Sequence, residues 1–132
     1  MEGGQTNEFR PLILVAEDDD SNFKLIKAII GKKCDIQWAK NGEEIVALFK
    51  EYGNEAKAIL MDIKMPVMNG LDATKIIRGE NKEIPIIMQT AYAFSSDKEN
   101  AMNAGASEVL VKPITLGILR TTLSKYLPDL QW

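Results

Sequence analysis

Five side chains, spread over most of the chain, have the types and the spacing for one kind of chemistry. Asp62 follows the apolar run Ala58-Ile59-Leu60-Met61 and precedes Pro66 and Gly70, so it stands where a buried strand gives way to a loop. Glu17 and Asp18 end the apolar run Leu12 to Ala16, Thr90 ends Ile86 to Gln89, and Lys112 ends Glu108 to Val111. A carboxylate nucleophile, an acid pair for a hard cation, a hydroxyl and an ammonium are what phosphoryl transfer requires, since that reaction needs positioning and charge neutralisation more than proton transfer. Asp62 is then the nucleophile, forming an acyl phosphate. Lys112 binds a phosphate oxygen as a point charge, and Thr90 hydrogen-bonds another.

Three carboxylates gathered at one rim repel, by roughly 3 kcal/mol for two unit charges about 5 Å apart at an effective dielectric near 20. One lysine cannot balance them. A divalent cation with oxygen ligands can, and Mg²⁺ typically takes one or two protein carboxylates and keeps several waters. Asp18 and Glu17, the latter through a water, would hold it beside Asp62, with the backbone carbonyl near Lys64 completing the shell. Each residue alone has a plainer explanation: acids from Glu17 to Asp20 favour a helix N-terminus, Thr90 suits a cap, and Lys112 is an ordinary surface charge. Four such endings on four successive buried runs make coincidence a poor account of the set.

The elements that must position these residues alternate in type. After a leader over residues 1–9, Leu12 to Ala16 is a central strand, and Ser21 to Ile30 is a helix closed by Gly31. Cys34 to Ala39 alternates as an edge strand does, and Asn41-Gly42-Glu43-Glu44 starts a helix through Ile45, Leu48 and Phe49 to Gly53 and Asn54. The strand Ala58 to Met61 leads to a helix from Leu71 to Arg78 stopped by Gly79. The strand ending at Thr90 leads to a thinly apolar helix from Ala91 to Ala104. The strand Glu108 to Val111 leads to a last helix, Thr115 to Leu127, with Leu116, Leu119, Leu123 and Leu127 on one stripe. Strand-then-helix units of this kind require right-handed crossovers and a parallel sheet covered on both faces. The expected class is α/β, a doubly wound five-stranded parallel sheet in the flavodoxin-like order 2-1-3-4-5, which sets the first and third strands side by side.

Composition excludes several other functions. The 132 residues suit one domain over 10–132, and 16 basic against 19 acidic residues give a net charge of −3, with no basic footprint for nucleic acid or anionic lipid. Histidine is absent, which removes triad, metallohydrolase and histidine-kinase chemistry from this chain. Cys34 is the sole cysteine, so neither an intrachain disulfide nor a cysteine zinc site is available, and a reducing cytoplasm is expected. No apolar stretch reaches membrane-spanning length.

Taken in order, Ile13-Leu14-Val15-Ala16-Glu17-Asp18, Asn41-Gly42-Glu43-Glu44, Leu60 to Gly70, Thr90-Ala91-Tyr92-Ala93 and Lys112-Pro113-Ile114 resemble the receiver domains of two-component response regulators, including those attached to hybrid histidine kinases. The resemblance implies that Asp62 is the phosphoacceptor, that Glu17 and Asp18 bind Mg²⁺ or Mn²⁺ with Asp62 and the Lys64 carbonyl, and that Thr90, Ala91 and Lys112 form the phosphate-binding and switch set. It implies a histidine kinase or histidine phosphotransfer protein as phosphoryl donor and a signal carried on the fourth helix and fifth strand. It also implies no turnover of external substrates, a monomer or a weak phosphorylation-dependent dimer, and a Lys112-Pro113 bond that is often cis.

Lys64 and Tyr92 flank the site and are expected to govern water access to the acyl phosphate. Many receivers place an aromatic residue three positions before the lysine, and here that position is Val109, so the aromatic half of the usual switch is missing. The competing enzyme class is a haloacid-dehalogenase-type phosphohydrolase, which also uses an Asp, a hydroxyl, a Lys and an acidic pair. Those enzymes carry a second Asp two residues after the nucleophile, where this chain has Lys64.

Overall fold

The computed structural model describes residues 9–91 and 96–132. The leader expected over residues 1–9 therefore lies, but for Phe9, outside the described residues. Five strands, β1 (Leu12–Ala16), β2 (Asp35–Ala39), β3 (Ala56–Asp62), β4 (Ile86–Thr90) and β5 (Glu108–Val111), alternate with five helices, α1 (Asp20–Ile30), α2 (Gly42–Tyr52), α3 (Gly70–Glu80), α4 (Asp97–Ala104) and α5 (Leu116–Tyr126). The strands are parallel and ordered β2-β1-β3-β4-β5. That is the order the hydrophobic balance of the strands implies, with the most uniformly apolar runs in the middle.

Period-two alternation splits the core in two. Ile13 and Val15 of β1, Ala58 and Leu60 of β3 and Ile87 of β4 face α1 and α5, where Phe23, Ile26, Leu119 and Leu123 cover them. Leu14, Ile59, Met61, Ile86 and Met88 face the other way, onto Ile45, Phe49, Ala73, Ile77 and Ala101 of α2, α3 and α4. Every one of these strand residues is fully buried. Such burial on both faces is what fixes the register, because a slip of one residue would exchange the two cores.

Several boundaries differ from the sequence expectation. β3 is longer at both ends, running from Ala56 to Asp62, because pairing with β1 begins at Leu12 opposite Ala56 and crosses an irregularity before Ile13. Asp62 is therefore the last residue of the strand rather than the first of the loop. α3 passes through Gly79, an exposed position with no neighbour to crowd it, and ends at Glu80. The cost of one exposed glycine, about 1 kcal/mol relative to alanine, does not break a helix whose inner face is packed. α4 starts only at Asp97, and Ala91 lies in a bend. In α5, Leu116 is 50% exposed, so the buried stripe is Leu119, Leu123 and Leu127.

Arg78 fastens the far end of α4. Its guanidinium donates to the Gly105 carbonyl at 2.8 Å, the Asn81 carbonyl at 3.1 Å and Ser107 Oγ at 3.2 Å, tying the C-terminus of α3 to the turn between α4 and β5. Among the described residues, no helix is long and apolar enough to cross a membrane.

Candidate functional site

The site lies at the C-terminal rim of the sheet, where β1 and β3 are neighbours and their following helices depart to opposite faces. In open α/β sheets this reversal leaves a crevice. Glu17, one residue past β1, is fully buried. Its N–H continues the strand pairing to Ala39 O at 2.9 Å, its carbonyl accepts from Trp38 Nε1 at 2.8 Å, and its carboxylate Oε2 accepts from the Asp19 N–H at 3.1 Å. Asp18 is exposed, and Asp19 caps α1 by accepting from the Ser21 N–H at 2.8 Å.

Asp62 is 6% exposed at the end of β3. Lys112 Nζ donates to its Oδ2 at 3.1 Å and lies 3.7 Å from Glu17 Oε1. Ligand atoms of Glu17, Asp18 and Asp62 all lie within 4.8 Å of one another. Burial, reinforced by the charge on Asp62, pushes the Glu17 carboxyl up to about 7. Burial by itself would lower the Lys112 ammonium, but Asp62, Glu17 and Asp18 together outweigh it and hold Lys112 above its usual value.

Glu17 Oε1 is buried and makes no hydrogen bond. That oxygen faces the Lys112 ammonium at 3.7 Å, but one positive charge for three carboxylates leaves buried negative charge that is costly unless a further cation meets it. The donor set is all oxygen and suits a hard cation, so these three residues could hold a metal ion.

The β3–α3 loop is built to fix Asp62. Asn69 caps α3 by accepting from the Asp72 N–H, the Gly70 N–H bonds Ile63 O at 2.8 Å, and the Gly42 N–H bonds Met68 O at 2.8 Å. A Cβ on Gly70 would sit 2.2 Å from Asp62 O, and one on Gly42 would sit 2.3 Å from Met68 O. The backbones approach so closely that only glycine fits at either position. Between them Val67 has φ 69°, with the Met68 N–H bonded to Pro66 O at 2.7 Å, a tight three-residue turn that is unfavourable for a β-branched residue.

Across the crevice, Thr90 is buried at the end of β4, and its hydroxyl donates to Asp97 Oδ2 at 3.2 Å. A cleft of about 160 Å³ is lined by Asp62, Lys64, Gln89, Thr90, Ala91 and Lys112. Lys64 and Ala91 are exposed at its edge, and Tyr92 lies outside the described residues. The Lys112–Pro113 bond is cis, and Val109, where an aromatic residue often stands in receivers, is half-buried on β5. The structure thus brings Glu17, Asp18, Asp62, Thr90 and Lys112 to one rim. Three participants carried no sequence signal: Gln89, a buried polar residue at the end of an apolar run; Asp97, inside the segment expected to be a thinly apolar helix; and Trp38, part of an alternating edge. Their involvement depends on contacts between elements that periodicity does not encode.

The profile of the response regulator receiver domain matches residues 13–124. Hybrid signal transduction histidine kinase I of Dictyostelium discoideum is 38% identical over 129 residues, a match covering 89% of this chain and 7% of that protein. The chain therefore spans only a small part of this relative. The receiver domain of sensor histidine kinase PA1611 from Pseudomonas aeruginosa PAO1, solved with a magnesium ion coordinated in its active-site cleft, superposes with a TM-score of 0.84 at 32% identity, covering 91% of this chain and 99% of that one. The receiver domain of Ssk1 from Saccharomyces cerevisiae, solved with the histidine phosphotransfer protein Ypd1, belongs to a structure matching at TM-score 0.81 and 28% identity, over 89% of this chain and 88% of that one.

Proposed function

This chain belongs to the response regulator receiver domain family of two-component phosphorelays, and from that premise we propose that it is a phosphoacceptor switch in which Asp62 takes a phosphoryl group from a histidine kinase or a histidine phosphotransfer protein. The family is a signalling module rather than an enzyme that turns over external substrates. In the proposed step an Asp62 carboxylate oxygen attacks phosphorus of a phosphohistidine, the P–N bond breaks, and the imidazole leaves. The observation that carries this is the convergence of one ammonium and two further carboxylates on Asp62: Lys112 Nζ at 3.1 Å, with ligand atoms of Glu17 and Asp18 within 4.8 Å.

Each residue has a defined task in this reading. Lys112 exchanges its bond to Asp62 for one to a phosphoryl oxygen, and Thr90 exchanges Asp97 for another. Glu17, Asp18 and Asp62, with the Lys64 backbone carbonyl, would hold Mg²⁺, or Mn²⁺ in its place, and such an ion would supply charge neutralisation for the phosphoryl oxygens. Ala91 lies against the phosphoryl group, while Lys64 and Tyr92 limit water. The magnesium reported for the PA1611 receiver and the phosphotransfer partner of Ssk1 support the ion and the class of donor.

The added charge, about −1.5 to −2 for a phosphoester group, draws Thr90 inward and alters the face made by α4 and β5, which carries the signal. A monomer or weak phosphorylation-dependent dimer, one domain over 10–132 and a cytoplasmic setting complete the reading. A buried Cys34, whose thiol burial pushes up to about 11, fits a chain that makes no use of disulfide chemistry.

Incubation with acetyl phosphate and Mg²⁺, followed by intact-mass measurement, is expected to add one phosphoryl group to the wild type and none to Asp62→Asn. Equal labelling of both proteins would remove Asp62 from the role.

A further inference from the structure

We propose that Trp38 is a positioning residue for the acid pair, holding the Glu17–Asp18 peptide in the orientation that lets Asp18 share a cation with Glu17 and Asp62. This rests on the reading that those carboxylates hold Mg²⁺. The Glu17 peptide is gripped at both of its polar groups by β2: its N–H goes to Ala39 O at 2.9 Å and its carbonyl to the Trp38 indole N–H at 2.8 Å. The first bond is ordinary strand pairing. The second is a side-chain donor placed where the ladder ends and the backbone would otherwise be free to turn. Indole is a donor only, so the bond has one possible direction.

The ring itself is held. Phe23 of α1 stacks on it in parallel with centroids 3.9 Å apart, and Lys40 Nζ sits 4.8 Å from its centroid while pairing with Asp20 at 3.7 Å. Trp38 thus links the edge strand, the first turn of α1 and the acid loop. Burial fixes the Glu17 side chain, but Asp18 is exposed, so the direction in which it projects follows from the backbone that Trp38 clamps. A ligand that must be pre-placed to share an ion loses affinity when its backbone is released, since ordering it then occurs at the expense of binding.

Trp38→Phe keeps a six-membered aromatic ring against Phe23 and removes the N–H together with the rest of the indole's five-membered ring. Calorimetric Mg²⁺ titration is expected to show a dissociation constant about fivefold higher than the wild type, about 1 kcal/mol. Phe23→Leu, which disturbs the stack and leaves the N–H, is expected to lower the unfolding midpoint while moving that constant less than twofold. A Trp38→Phe constant within twofold of the wild type overturns the proposal, as does a Phe23→Leu effect equal to that of Trp38→Phe, which would mean packing alone. In Trp132→Phe, where Trp38 is the sole tryptophan, the indole ¹⁵N–¹H resonance is expected to move on Mg²⁺ addition and saturate at the calorimetric constant. A stationary resonance overturns the proposal even if Trp38→Phe does not fold. A wild type that binds no Mg²⁺ overturns both this inference and the metal reading, whereas a binding wild type with an unchanged Trp38→Phe overturns this inference alone.

Discussion

Two neighbouring loops at the rim are constructed in opposite ways. The one after β3, which follows Asp62, is welded in place: Gly70 and Gly42 bring three backbones almost into contact, Asn69 caps α3, and the chain is forced through Val67 with φ 69°. After β4, the Thr90 hydroxyl donates to Asp97 Oδ2 at 3.2 Å, and α4 begins at Asp97 after Ser96, whose side chain makes no cap bond. α3 buries Ala73, Thr74 and Ile77, whereas α4 buries only Ala101 and Ala104. The group proposed to react is held rigidly, and the group proposed to respond to it hangs on a weakly anchored helix. A switch needs both, because a nucleophile must be pre-placed and a reporter must be able to shift at small cost.

The largest test of the rigid side is Gly70→Ala. Its Cβ would meet Asp62 O at 2.2 Å, and Met61 and Met88 side-chain atoms at 3.0 Å, so either the loop or β3 must give way. Urea denaturation is expected to show a loss of about 3 kcal/mol or more, with acetyl phosphate labelling abolished. A loss below about 1 kcal/mol would mean that the loop after β3 is not rigidly held.

Rigidity also imposes an electrostatic strain that pH exposes. With a chelator present, Glu17 is protonated up to about pH 7 in the folded chain but only to about 4.5 when unfolded. Between those values the folded state binds the extra proton, so this group's contribution is fully present at low pH and is lost as pH rises through 7. Relative to Glu17→Gln, which cannot titrate, the wild type is expected to lose on the order of 3 kcal/mol between pH 4.5 and pH 8. Parallel stability curves for the two proteins would contradict the burial-driven shift.

Capping sharpens the contrast between the helices directly. Asn69→Ala removes the acceptor of the Asp72 N–H and is expected to cost about 1 kcal/mol, while Ser96→Ala, whose hydroxyl makes no cap bond, is expected to stay within about 0.5 kcal/mol. Equal costs would show that α4 is as firmly started as α3. The smallest effect belongs to Val67→Gly. Relief of the left-handed turn, partly offset by the unfolded-state freedom of glycine, is expected to raise stability by about 0.5 kcal/mol.

How much of this was visible in the residues alone follows from which forces act locally. The strands were legible because burial on both faces demands uninterrupted apolar runs, and each run ends at a polar residue that marks the rim. The order 2-1-3-4-5 followed from which runs alternate and which do not. Gly79 misled because a stop signal was weighed without the packing of Ala73 and Ile77 that carries the helix past it. The start of α4 differed as well: the composition of 91–104 is helical, but the helix begins at Asp97 and buries only Ala101 and Ala104. Leu116 has the right spacing and is nonetheless half exposed, since periodicity assigns a face and not what covers it. Trp38 and Asp97 were hidden because their partners, Glu17 O and Thr90 Oγ1, come from other elements.

The clasp made by Arg78 gives α4 a fulcrum. Two of its bonds, to Gly105 O and Ser107 Oγ, hold the turn after α4 at the bottom of the sheet, while the top of the helix meets Thr90 through Asp97. Eight residues make a rod about 12 Å long, so a tilt of about 10° around that anchored base carries the upper end through about 2 Å. In the proposed reading, a change of one hydrogen bond at the rim would be enlarged in this way into a displacement that a docking protein would feel.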